Sequence, residues 1–204
     1  MTPPREVGRS TLGRRVWGAL LRLVTPWRVR RRRLPTPELP PWAKVGKKRL
    51  AHIQRVVALL EEWAEAMGVT QRERTRWLHA AWLHDALRDA PASRLVGTTH
   101  GAAAADRSAQ EGETDRGVLD AVRYHSSGYA GWDDVGKMLF LADFLEPGRR
   151  STRRRRAKLA ARVPRNRDGV LREVVGQQIR QRLRAGRPIN PLMLDFWNSI
   201  AASR

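Results

Sequence analysis

The chain contains no cysteine. Neither a disulfide framework nor a thiolate metal site can be built from it, so any metal must be held by nitrogen and oxygen. A reducing cytoplasm fits that composition. Acidic side chains are half as numerous as basic ones, 20 against 40, which leaves a formal net charge of +20 and a pI near 11.7. Such a balance favours polyanionic partners, among them nucleotides, RNA, ribosomal surfaces and acidic lipid. No stretch approaches the roughly 20 uncharged apolar residues that a membrane-spanning helix requires. The nearest imitation of a leader, Val16 to Val24 behind Arg14 and Arg15, is broken by Arg22 and lacks a small-residue cleavage site. A soluble or peripheral cytoplasmic protein is therefore expected. Alternating β-branched runs are nearly absent, which argues against a sheet, and neither an internal repeat nor a glycine-rich phosphate loop is present.

What is present divides into two parts. Residues 1–41 form a basic arm, with five arginines between Arg28 and Arg33 and then the proline-rich segment Leu34–Pro41. That composition predicts a flexible arm or one short amphipathic helix over Val16–Val24, suited to RNA or an acidic surface. From Trp42 onward the hydrophobic period is helical, so residues 42–204 are expected to fold as one all-α domain. Ile53, Val56, Val57, Leu60, Trp63 and Met67 mark a first helix that stops at Gly68. A second is expected over Gln71–Leu87, with later ones at Thr114–Tyr124, Asp133–Leu145, Asp168–Leu183 and Pro191–Ala201. His100-Gly101 opens a segment whose alanines permit close helix packing. Arg149 to Arg156 is a second basic cluster.

The chemistry concentrates in four side chains. Asp143 interrupts the apolar run Met138–Ala142 and is followed by Phe144 and Leu145; a carboxylate in such a setting requires a charged or metallic partner. His52 lies near the front of the first apolar stripe, and His84-Asp85 close the second predicted helix. Two imidazoles and two carboxylates suit iron, manganese, zinc or cobalt. A six-coordinate ion held by these four would keep two positions open, for a phosphate oxygen and for a water made easier to deprotonate. Taken singly each residue has a plainer reading: a core histidine, a helix-surface pair of Asp85 with Arg88, an aspartate bridged to an arginine. His79, five positions before His84, points about 140° away from it and stands outside the set.

The stretches Arg49–His52, Leu83–Asp85, Val122–Gly128 and Leu141–Pro147, with the closing segment Arg187–Pro191, Leu194 and Asn198, resemble the YqeK family of the HD-domain superfamily. The resemblance covers about residues 42–200. It implies an HD-domain helical bundle that binds one iron ion, with manganese or cobalt as substitutes, and splits diadenosine tetraphosphate symmetrically into two ADP. It further implies His52, His84, Asp85 and Asp143 as metal ligands, and nucleotide contacts from Arg49, Arg88, His100, His125, Ser126, Arg149, Pro188, Ile189 and Asn190. Asp85, His100 and His125 become the candidate catalytic groups, the histidines donating to a phosphate or carrying a proton toward the leaving ADP. Arg88 stands where that family commonly has lysine, the loop Asp89–Thr99 is shorter, Gly136 replaces an acidic residue, and Ser151–Lys158 is richer in arginine. Hydrolysis of another nucleotide and a basic RNA- or ribosome-associated module with a non-catalytic metal site are the competing readings. A homodimer is left open.

Overall fold

The computed structural model describes residues 38–95, 97–148 and 152–202. The expected arm helix at Val16–Val24, the arginine run and Arg149 lie outside the described residues. Among those described, eight α-helices and no strand are found: α1 Lys47–Ala66, α2 Gln71–Leu83, α3 His100–Gln110, α4 Arg116–Tyr124, α5 Asp134–Leu145, α6 Arg153–Ala160, α7 Arg167–Arg184 and α8 Pro191–Ala202. The all-α expectation holds. A single 3-10 turn, Ala92–Arg94, punctuates the loop between α2 and α3.

Local chemistry sets the helix starts. Thr70, Thr99, Asp115, Asp133 and Asn166 each accept a backbone N–H from the first turn of the helix that follows, satisfying donors that the helix itself leaves orphaned. α1 stops where Gly68 adopts φ +62°, a left-handed conformation that glycine enters at little cost. At the centre lies α5, whose Val135, Met138, Leu139, Leu141 and Ala142 are all fully buried. It touches α1, α2, α4, α6 and α7, which explains why its sequence is apolar almost all round. Two helices are knotted to the bundle by one side chain. Arg76 of α2 forks onto the Asp115 cap of α4, at 2.7 and 2.9 Å, and reaches the Asp133 cap of α5 at 2.6 Å.

Two expectations need correction. α2 ends at Leu83 rather than Leu87, and residues 84–89 leave it as successive tight turns closed by Ala86 N–H to Leu83 O and Arg88 N–H to Asp85 O, both at 3.0 Å. These i→i+3 bonds replace the helical register, so His84 and Asp85 are presented from a turn and not from one helix face. Secondly, the basic cluster after Arg149 folds from Arg153 as α6, which seats Leu159 in the core. The turn after α2 is strapped to the segment entering α1: Lys44 N–H donates to Ala86 O (2.7 Å), Asp89 N–H to Lys44 O (3.3 Å), and Gly46 N–H to the Asp89 carboxylate (2.8 Å).

Candidate metal centre

His52 from α1, His84 and Asp85 from the turn after α2, and Asp143 from α5 converge on one point. His52 Nε2 lies 3.1 Å from Asp143 Oδ1, 3.6 Å from Asp85 Oδ2 and 3.4 Å from His84 Nε2. His84 Nε2 lies 3.6 Å from Asp85 Oδ2. The second nitrogen of each ring is already committed. His84 Nδ1 is 2.7 Å from the Ala81 carbonyl, which only accepts, so this nitrogen carries the proton and Nε2 is bare. His52 Nδ1 is 3.3 Å from Glu146 Oε1. Burial disfavours ionisation of Glu146, but Arg55, the Gly148 N–H and His52 outweigh it and hold the carboxyl below its usual range; His52 Nδ1 therefore donates. The lone pairs of two imidazoles and the oxygens of two carboxylates thus face one another, and only a positive charge among them relieves the opposition. Burial lowers the pKa of His52, yet Asp143, Asp85 and Glu146 together raise it above its ordinary value. The donor set fits a divalent cation, with Glu146 as the outer carboxylate that orients a ligand imidazole.

A second trio abuts the first through the other oxygen of Asp85. Its Oδ1 lies 3.1 Å from His100 Nε2 and 3.7 Å from His125 Nε2, and these two nitrogens are 3.1 Å apart. Asp85, His100 and His125 could themselves hold an ion. Their hydrogen bonds describe a different state. Arg88 has only donors, and its Nη1 sits 2.9 Å from His100 Nδ1, so that nitrogen accepts and the proton of His100 is on Nε2, toward Asp85. His125 gives its Nδ1 proton to Val122 O at 2.8 Å, and burial followed by the neighbouring His84 pushes its pKa down to about 4. It is neutral near pH 7 and accepts at Nε2. Asp85 is buried, which works against its charge, but His100, His84, His125 and Arg49 prevail and hold it far below the usual carboxylate range. Arg49 Nη1 reaches its Oδ2 at 2.6 Å.

A cavity of about 610 Å³ opens over this centre. Asp85, His100, His125 and Asp143 line it together with Arg49, Arg88, Ser126, Phe144, Arg156, Gln178, Gln181, Arg182 and Arg187. The Arg156 guanidinium lies 4.3 Å over the Phe144 ring and donates to that residue's carbonyl.

Residues 49–192 match the family model of the HD domain. The chain belongs to the HD domain family. Over 40 residues it is 43% identical to the "Bis(5'-nucleosyl)-tetraphosphatase, symmetrical" of Bacillus subtilis (strain 168), a stretch that spans 20% of this chain and 22% of that relative's length. Its fold is similar to a crystal structure from Clostridium acetobutylicum described as a predicted HD superfamily hydrolase involved in NAD metabolism. That likeness has a TM-score of 0.69 at 18% identity and covers 78% of this chain and 92% of the other.

Within this HD domain the expected residues are not all in one place. His52, His84 and Asp143 cluster; Asp85 clusters with His100 and His125 and lies 3.6 Å from the first group's two imidazoles; Arg49, Arg88 and Ser126 line the cavity. Asp143 is 20% exposed at its side chain and not fully buried, because it sits in the cavity wall. Pro188, Ile189 and Asn190 are absent from the lining. Ile189 packs on the core, the Asn190 side chain accepts from Leu192 N–H at 2.9 Å, and Ala185 and Arg187 take the wall there instead. Glu146 was missed, although a buried glutamate three residues after Asp143 at the end of an apolar helix carries the same signal as Asp143 itself. His79 pairs with Glu113 at 2.8 Å, away from the centre.

Proposed function

We propose that this HD domain is a metal-dependent phosphoanhydride hydrolase that cleaves diadenosine tetraphosphate symmetrically to two ADP, with iron as its ion. The observation that carries the reading is the convergence of two imidazoles, whose other nitrogens are already taken, with two carboxylates directly beneath a cation-lined cavity. His52, His84, Asp85 and Asp143 would hold a divalent ion, which when bound would supply Lewis acidity and make a nearby water easier to deprotonate near neutral pH. Arg49 bridges from Asp85 to the cavity, where its remaining donors are placed for phosphate oxygens. His100 presents its Nε2–H on the cavity floor, with Arg88 fixing that tautomer, and His125 beside it accepts. The oxygen of water bonds to an inner phosphorus as the bond to the central bridging oxygen breaks; that oxygen leaves with the electron pair on the second ADP, and the protons of water pass to product phosphates or solvent. The basic cavity draws a substrate carrying about four negative charges. The short match to a symmetrical tetraphosphatase supports the choice of substrate.

The deciding test resolves products from diadenosine tetraphosphate with iron or manganese added. ADP without AMP or ATP is expected. AMP plus ATP would place the cut elsewhere, and an intact dinucleotide beside turnover of a nucleoside triphosphate or guanosine tetraphosphate would transfer the site to another nucleotide.

A further inference from the structure

A second cleft, of about 860 Å³, lies against the same centre and has no role in the reading above. Arg49 and Arg88 line both clefts. His52 borders the second, while Asp143, His100 and His125 border the first. The candidate metal donors therefore reach two openings, Asp85 and Asp143 the first and His52 the second.

The two openings differ in chemistry. The first offers the Phe144 ring, one face of which carries the Arg156 guanidinium at 4.3 Å, and the amides of Gln178 and Gln181, an apolar and cationic surface beside groups that both donate and accept, which suits a nucleobase. Among the described residues the second has no amide side chain in its lining, and its one aromatic ring is the His52 imidazole, whose nitrogens already face Asp143 and Glu146. Its cations are Lys47, Lys48, Arg49, Arg55 and Arg88. Its two carboxylates are already engaged: Asp89 by the Gly46 N–H at 2.8 Å, and Glu146 by Arg55 at 2.6 Å and the Gly148 N–H at 2.7 Å. Lys47 and Lys48 are exposed, and no ion pair is recorded for either among the described residues. A lining of this kind attracts phosphate and, among the described residues, offers a base no free aromatic face or side-chain amide.

We propose that the second cleft receives the departing half of the tetraphosphate through its phosphates alone, with Lys47 and Lys48 as the distal contacts, so that the enzyme reads one nucleoside and ignores the other. The inference rests on the tetraphosphatase reading. As the central bond breaks, negative charge accumulates on the departing diphosphate, and cations already in place stabilise it without rearrangement. The far nucleoside projects past the lysines toward solvent.

The test compares kcat/KM for diadenosine tetraphosphate with tetraphosphates joining adenosine to guanosine or to uridine, in the metal-loaded full chain. The same assays are run on Lys47→Ala/Lys48→Ala and on Lys47→Arg/Lys48→Arg. Near-equal kcat/KM across the far nucleosides is expected. In the alanine variant KM should rise about tenfold and depend less on salt, while inhibition by ADP, held in the first cleft, stays unchanged; arginine should restore KM. A strong preference for one far base, or an unchanged KM in the alanine variant, overturns the inference while leaving the tetraphosphatase reading intact. A wild-type chain that leaves every tetraphosphate whole overturns both.

Discussion

At the scale of single residues, the candidate centre depends on groups that stand behind its four donors. Glu146 is 1% exposed and holds the Nδ1 proton of His52, thereby turning the other nitrogen to the ion. Glu146→Gln is expected to weaken manganese binding, measured by titration calorimetry, by roughly 10- to 100-fold with helix content unchanged. Unaltered affinity would show that His52 is oriented by packing alone. Gly101 has a comparable indirect part: a Cβ at this position would lie 2.7 Å from the Val122 carbonyl and 3.0 Å from the His125 ring. Only glycine lets α3 approach α4 closely enough to set His100 against His125. Gly136, too, is fixed by contact, since a side chain there would strike the Trp132 indole. The four residues that meet at the candidate centre stood out in the sequence because few chemistries tolerate such residues among apolar neighbours. Glu146 lay inside a recognised stretch, yet its role depends on a distance to His52 across 94 positions, which no local pattern encodes.

At the scale of elements, periodicity located α1, α4, α5, α7 and α8 to within a few residues because each buries an apolar stripe. It failed at the end of α2, where Ala86 and Leu87 continue the apolar pattern although the backbone has already turned. It also failed at α6, whose Arg153–Arg156 run reads as a solvated cluster until Leu159 is seen in the core. Polar ties between elements were equally invisible. Arg76 joins the caps of α4 and α5, and its fork on Asp115, with the Val118 and Gly117 N–H groups, lowers that carboxyl's pKa against the opposing effect of burial. Its stabilisation is therefore complete above the ordinary aspartate pKa and disappears as pH falls through the lower folded value. Arg76→Ala should cost about 2 kcal/mol near pH 7, read from denaturant midpoints. The gap to wild type should close in acid below about pH 4. A pH-independent gap would mean that the arginine stem, not its charge, does the joining.

At the scale of the whole molecule, charge is unevenly shared. From Thr152 to Arg187 there are thirteen basic residues and two acidic ones, and this segment supplies Arg156, Arg182 and Arg187 to the cavity wall. Among the described residues no helix is long and apolar enough to cross a membrane. The all-α class and the positive field were therefore readable from composition, whereas the division of the centre between two clefts is a property of the assembled fold. That fold does not hang on the ion. The core around α5 is continuous and apolar without it, so His84→Ala/Asp85→Ala is expected to abolish metal binding and turnover while circular dichroism keeps most of its helical signal. Collapse of that signal would make the cation chiefly structural.

The strap between Lys44 and the turn at Ala86–Asp89 gives the molecule a mechanical property. Its three hydrogen bonds join the backbone just ahead of α1 to the stretch that carries His84 and Asp85. A displacement of the backbone at Lys44 is therefore coupled to the turn that presents His84 and Asp85, so the entry to α1 helps to set the position of both side chains.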